Sequence, residues 1–150
     1  MSLRYRSCGE VHKDFHRLVC ATLRYLTDLY GREAAEEVVV RTAKGVFRSM
    51  RESLAAGDFA ELSEYWRLHL SREGGDFSIE SLPDGLRLTV RDCPAQRRMV
   101  ELGDAPDPVL CRATQIFNEA LAEGSPFEAS TIVSGEFSCV QEFRTRERVT

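Results

Sequence analysis

A chain of 150 residues with 43% hydrophobic and 29% charged side chains has the length of one domain and an ordinary globular composition, which excludes disordered and fibrous classes. A net charge of -4 with no basic stripe argues against a nucleic-acid partner, because phosphate binding draws on clustered Lys and Arg in excess. No apolar run approaches the roughly 20 residues of a spanning helix, and the opening Met-Ser-Leu-Arg-Tyr-Arg-Ser-Cys lacks an export signal's apolar stretch. A cytoplasmic protein with no membrane partner is therefore expected. The 5 cysteines are odd in number and include no Cys-x-x-Cys, which points to reduced thiols and excludes zinc-ribbon and thioredoxin-like motifs.

In chain order, Ser7 and Glu10 have capping-box spacing. Val11, Phe15, Leu18, Val19, Thr22, Leu26 and Leu29 then recur at helical spacing up to Gly31, predicting a first helix over 9–30. A second, over 32–56, carries Ala35, Val38, Val39, Thr42, Val46, Met50 and Leu54 and stops at Gly57. Asp58 with Glu61 opens a third, over 59–72, with Phe59, Leu62, Trp66 and Leu70 on its apolar side.

At Glu73-Gly74-Gly75-Asp76 the hydrophobic period falls from 3.6 to 2. Phe77 and Ile79 lead into Pro83-Asp84-Gly85, after which Leu86, Leu88 and Val90 alternate with Arg87, Thr89 and Arg91, predicting a hairpin with one buried face. Two helices follow, 94–102 and 107–123, then a second hairpin from 127–133 and 137–144. This order predicts a single α+β domain over 1–150, with loose ends at 1–8 and 145–150. N-terminal helices precede a hairpin-helix-helix-hairpin unit, whose four-stranded, mainly antiparallel sheet is covered by helices on one face.

The stretch 92–111 carries the chemistry. Pro is favoured at the first helical position, so Pro94 places Cys93 at an N-cap and Pro108 places Asp107 at another, with Cys111 near the start of the second helix. Unpaired amides and the positive dipole end lower a thiol's pKa there, and the thiolate is both nucleophile and metal ligand. The competing reading is a small buried hydrophobe, the usual fate of a free Cys. Cys139 shares a strand face with Phe137, Gln141 and Phe143, where a core thiol is the default. Cys93, Cys111 and Cys139 lie far apart in sequence, so zinc could reach them only as a set assembled by the fold; no metal or other cofactor is expected otherwise.

Arg87, Arg91 and Cys93 fall on one side of the strand if its alternation holds to the end. Arginines there would stabilise thiolate and grip a substrate carboxylate, or simply face water. Asp92 and His69 are the candidate proton-moving groups, with His69 equally a packing partner of Trp66. His12 and His16 lie one helical turn apart but lack the Glu of the metalloprotease helix motif, so a solvated helix face is the simpler reading.

The segments Gly-Leu-Arg-Leu-Thr-Val-Arg-Asp-Cys-Pro-Ala (85–95), Pro-Asp-Pro-Val-Leu-Cys-Arg-Ala (106–113) and Thr-Ile-Val-Ser-Gly-Glu-Phe-Ser-Cys-Val-Gln-Glu-Phe-Arg (131–144) resemble the L-2-amino-thiazoline-4-carboxylic acid hydrolase family. Cys93, Cys111 and Cys139 match its strand-ending Cys-Pro, its helix-opening Cys and its closing-strand Cys. Glu136 stands where that family usually has Asp, and Val140-Gln141-Glu142 replaces a more aromatic pattern. The layout is also similar to vinyl reductase-type small-molecule-binding domains.

The first resemblance implies hydrolytic ring opening of a small cyclic amidine bearing a carboxylate, on the cysteine-forming route. Cys93 would be nucleophile, Asp92 and His69 would be catalytic partners, and Arg87, Arg91, Cys111 and Cys139 would contact substrate; the alternative mechanism is a metal held by Cys93, Cys111 and Cys139 that activates water. The second implies a non-catalytic domain that binds or senses a small molecule, with the cysteines as ligand or metal contacts. A third reading is a purely structural dimerisation module, in which the long first and second helices bury a partner in a homodimer.

Overall fold

The computed structural model describes residues 15–146. In order, the chain forms α1 (Phe15–Tyr30), α2 (Arg32–Gly45), α3 (Arg48–Ala55), α4 (Ala60–Arg72), β1 (Asp76–Leu82), β2 (Gly85–Asp92), α5 (Pro94–Glu101), α6 (Pro108–Ala122), β3 (Phe127–Gly135) and β4 (Ser138–Thr145). The predicted Ser7–Glu10 cap, the start of the first helix, His12 and the last four residues of the chain lie outside the described residues. The α+β architecture expected from the sequence is the one observed, with one antiparallel sheet in the order β1-β2-β4-β3. No helix among the described residues is long and apolar enough to cross a membrane.

Register explains where the core lies. Leu86 pairs with Phe143, Leu88 with Gln141 and Val90 with Cys139, while on the other side of β4 those three partners face Ala129, Thr131 and Val133. Paired residues share a face, so the inner face is a set of rows. The Leu86–Phe143–Ala129 row packs closely: Phe143 is fully buried beneath Trp66, their ring centroids 5.9 Å apart, and joins Leu54, Leu62 and Leu121 in the core cluster. Gly85 opens β2 where only glycine fits, because a Cβ there would stand 1.9 Å from the Phe143 carbonyl oxygen. The outer face carries charge instead, with Arg87 bridging Glu142 and Glu80, and Arg144 bridging Glu142 and Asp84.

Two local expectations change. The predicted helix over 32–56 is two helices, broken at Val46-Phe47 just after Gly45. Gly is the poorest helix former after Pro, and the break turns Phe47 inward, edge-on to Tyr65 and Phe117 at 5.4 and 4.8 Å. In the second hairpin, Phe137 leaves the strand: Gly135 pairs with Ser138, and Phe137 occupies the turn, where its carbonyl accepts the Cys93 N–H at 2.7 Å.

Candidate functional site

The other two inner-face rows also border open space, although Leu88 and Val90 are buried members of the core cluster. Leu88, Val90, Thr131, Val133, Cys139 and Gln141 form the floor of a cavity of about 590 Å³, walled by α1, α2, α4 and α6 and by the start of α5. Its walls are largely apolar: Val19 and Leu23 from α1, Val39 from α2, Tyr65, Trp66 and Leu70 from α4, Leu110 and Phe117 from α6. Pockets that hold small molecules are typically concave, apolar and of this size, with a few placed polar groups.

The polar groups gather at one wall. Gln96, 3% exposed, donates to the Asp107 carbonyl at 2.8 Å and to Cys111 Sγ at 3.2 Å, and accepts the Asp107 N–H at 2.7 Å. It thereby ties α5 to the first turn of α6 and fixes Cys111 at the cavity. Asp107 caps α6 by accepting the Val109 N–H at 2.9 Å, and its carboxylate takes Arg24 at 2.8 Å. Asn118, 2% exposed, donates to Thr131 Oγ1 at 3.0 Å and to Gln141 Oε1 at 2.8 Å, and Gln141 donates to Cys139 Sγ at 3.6 Å. Both amide protons of Asn118 are thus used. Asn118 lines the cavity, so its amide is a polar group that a ligand entering there would meet.

Cys93, Cys111 and Cys139, distant in sequence, all line this cavity, as does His69, whose ring packs on Tyr65 at 4.5 Å between centroids. Cys93 is the N-cap of α5 with Pro94 next, as the sequence predicts, and the Ala95 and Gln96 amides favour its thiolate. Burial outweighs them, so the Cys93 thiol is pushed above its ordinary value rather than below it. Burial likewise raises Cys139. No His or carboxylate among the described residues hydrogen-bonds Cys93 Sγ, and no group of three His, Cys, Asp or Glu side chains among them is placed to hold a metal ion.

The remaining candidates lie elsewhere. Asp92 is held by Arg97. Arg91 takes Asp76 at 2.7 Å on the outer side of the sheet, and Arg87 takes Glu142 and Glu80 there. None of these three lines the cavity. The reason is a bulge: Asp76 pairs with Asp92 but Phe77 pairs with Val90, so Arg91 is the extra residue. A bulge switches the facing of the residues beyond it, which turns Cys93 to the inner side while Arg87 and Arg91 stay outside. His16, at the cavity's edge, meets Glu73 at 2.7 Å.

Sequence reasoning assigned no role to Gln96 or Asn118. The available signal was a polar amide within an apolar helix face, visible for Asn118 between Phe117 and Ala120; for Gln96 there was none. Neither any family model nor any curated protein matches this chain.

Proposed function

We propose that this chain is a small-molecule-binding domain of the vinyl reductase type, taking a small, mostly apolar ligand into the cavity over β2 and β4. One observation carries the reading: about 590 Å³ of largely apolar space is lined by a few placed polar side chains, Gln96 and Asn118 among them. Apolar walls supply affinity and a few polar side chains supply orientation, the division of labour that ligand pockets use. Neutral thiols at Cys93 and Cys139 suit such a lining.

The test uses the neutral dye N-phenylnaphthylamine. Saturable fluorescence enhancement at one dye per chain is expected, and Ala113→Phe, which places a ring in the cavity from α6, is expected to abolish it with an unchanged circular dichroism spectrum. Equal dye uptake by that variant overturns the reading.

A second reading, hydrolytic opening of a cyclic amidine, is favoured by the presence of Cys93, Cys111, Cys139 and His69 in one cavity. There Cys93 attacks the amidine carbon, and the ring C–N or C–S bond at that carbon breaks as His69 passes the thiol proton to the departing atom. Water then displaces the Cys93 thiol to give the ring-opened product. Turnover of 2-aminothiazoline-4-carboxylate that Cys93→Ser abolishes is its expected result. Full activity in Cys93→Ser removes Cys93 from the mechanism.

A further inference from the structure

Helix α1 has two apolar faces. Cys20 and Leu23 are buried against the protein, at 3% and 7% exposure, yet Phe15, Leu18, Tyr25 and Leu29 are 59%, 63%, 63% and 53% exposed, with Thr22 open among them. Positions 15, 18, 22, 25 and 29 are separated by alternating steps of three and four, the seam that lets two helices pack knobs into holes. Phe15, Leu18 and Thr22 also line the cavity, as does the exposed Val38 of α2, so this seam is part of the cavity's rim.

We propose that a second copy of this chain docks here, α1 antiparallel to α1, and that the pairing closes the cavity of each protomer. The closure rests on the ligand-binding reading above; the pairing does not. Self-complementarity argues for a second copy. Reversed about Thr22, the seam sets Phe15 level with the partner's Leu29 and the small Thr22 pair on the axis, with Leu18 and the partner's Tyr25 offset by one residue, about 1.5 Å. Charge fixes the direction. By the 3.6-residue turn, Arg17 and Asp28 lie on one flank of the seam and Val19 and Leu26 on the other. Antiparallel helices set like flanks together, which brings Arg17 within one residue, about 1.5 Å, of level with the partner's Asp28 twice over. A parallel pair would set both charges against Val19 and Leu26. Arg17 already holds Asp104 at 3.1 Å and is 54% exposed in its side chain, so its guanidinium keeps donors for a second carboxylate.

The experiment is sedimentation equilibrium on the full chain, with N-phenylnaphthylamine binding measured on the same samples. The wild type is expected to be a dimer, Thr22→Cys to form an oxidised crosslinked dimer, and Leu29→Cys to form none. The double variant Tyr25→Glu/Leu29→Glu, both positions being exposed and neither lining the cavity, is expected to be monomeric, with helicity unchanged and dye affinity about tenfold weaker. A wild-type monomer, a dimer that survives the double variant, or a Leu29→Cys crosslink overturns the proposal. A monomer whose Thr22→Cys thiol resists labelling assigns the seam to residues 1–14 and also overturns it. Loss of the dimer with unchanged dye affinity overturns the closure, whereas a wild-type dimer that takes up no dye removes the ligand-binding reading and leaves the pairing standing.

Discussion

Single side chains here show burial competing with local chemistry. Cys93 sits where helix amides stabilise a thiolate, yet its removal from water is the larger effect, so its alkylation by iodoacetamide is expected to be slow at neutral pH and to rise only above the ordinary thiol range. Rate against pH, with the site mapped by mass spectrometry, checks this; a fast reaction below that range returns Cys93 to the role of activated nucleophile. Cys20 is the stronger case. Burial, then the neighbouring Asp107 carboxylate, push its thiol from 9.0 up to about 12. A folded-state pKa above the unfolded one means the native state holds the proton more tightly. The associated stability is therefore fully present below pH 9.0 and lost as pH rises toward about 12. Cys20→Ala is expected to flatten the alkaline limb of the stability curve by at most ~1.4 kcal/mol per pH unit, read by urea denaturation across that window. Asp107 serves three partners, Val109, Arg24 and the Cys20 thiol. Asp107→Ala is expected to destabilise the fold by about 1–3 kcal/mol, and Asp107→Asn by less because an Asn oxygen still caps α6.

At the level of elements, period and punctuation carried most of the fold. The change from helical to alternating spacing at Gly74-Gly75 located β1, Pro94 and Pro108 located α5 and α6, and the alternation of β2 named the buried face. The features that stayed hidden depend on contacts distant in sequence. The break between α2 and α3 exists because Phe47 finds Tyr65 and Phe117, and the facing of Cys93 depends on a bulge set by pairing with β1. The three thiols were legible as candidates, but the amides that place two of them were not, since Gln96 and Gln141 show their role only once α5 meets α6 and β4 meets α6. Gly45 ends α2 without a positive φ, and a Cβ there would meet nothing within 4 Å. Gly45→Ala is accordingly expected to stabilise the protein by about 0.4–1 kcal/mol through a less flexible unfolded chain, seen as a higher melting temperature. A drop instead would mean that the α2–α3 break itself requires glycine.

Across the whole molecule, the sheet is divided along its strands. One end of its inner face is packed to the density of a core around Phe143, Trp66, Leu54 and Leu62, and the other faces a cavity that the helices roof without filling. The same strand serves both, so the division can be measured along β4. Phe143 is fully buried, and Phe143→Ala would open a void that its neighbours cannot collapse into, at a cost of about 3–5 kcal/mol. Cys139 lies on the same face of the same strand but borders space already empty. Removing its sulfur adds little new cavity surface and forfeits one weak contact from Gln141, so Cys139→Ala is expected to change stability by less than about 1 kcal/mol. Urea midpoints of the two variants decide the matter. A Cys139→Ala loss as large as that of Phe143→Ala would mean that the floor beneath Cys139 is packed in solution, and the ligand space assigned to it would then have to be opened by the ligand itself.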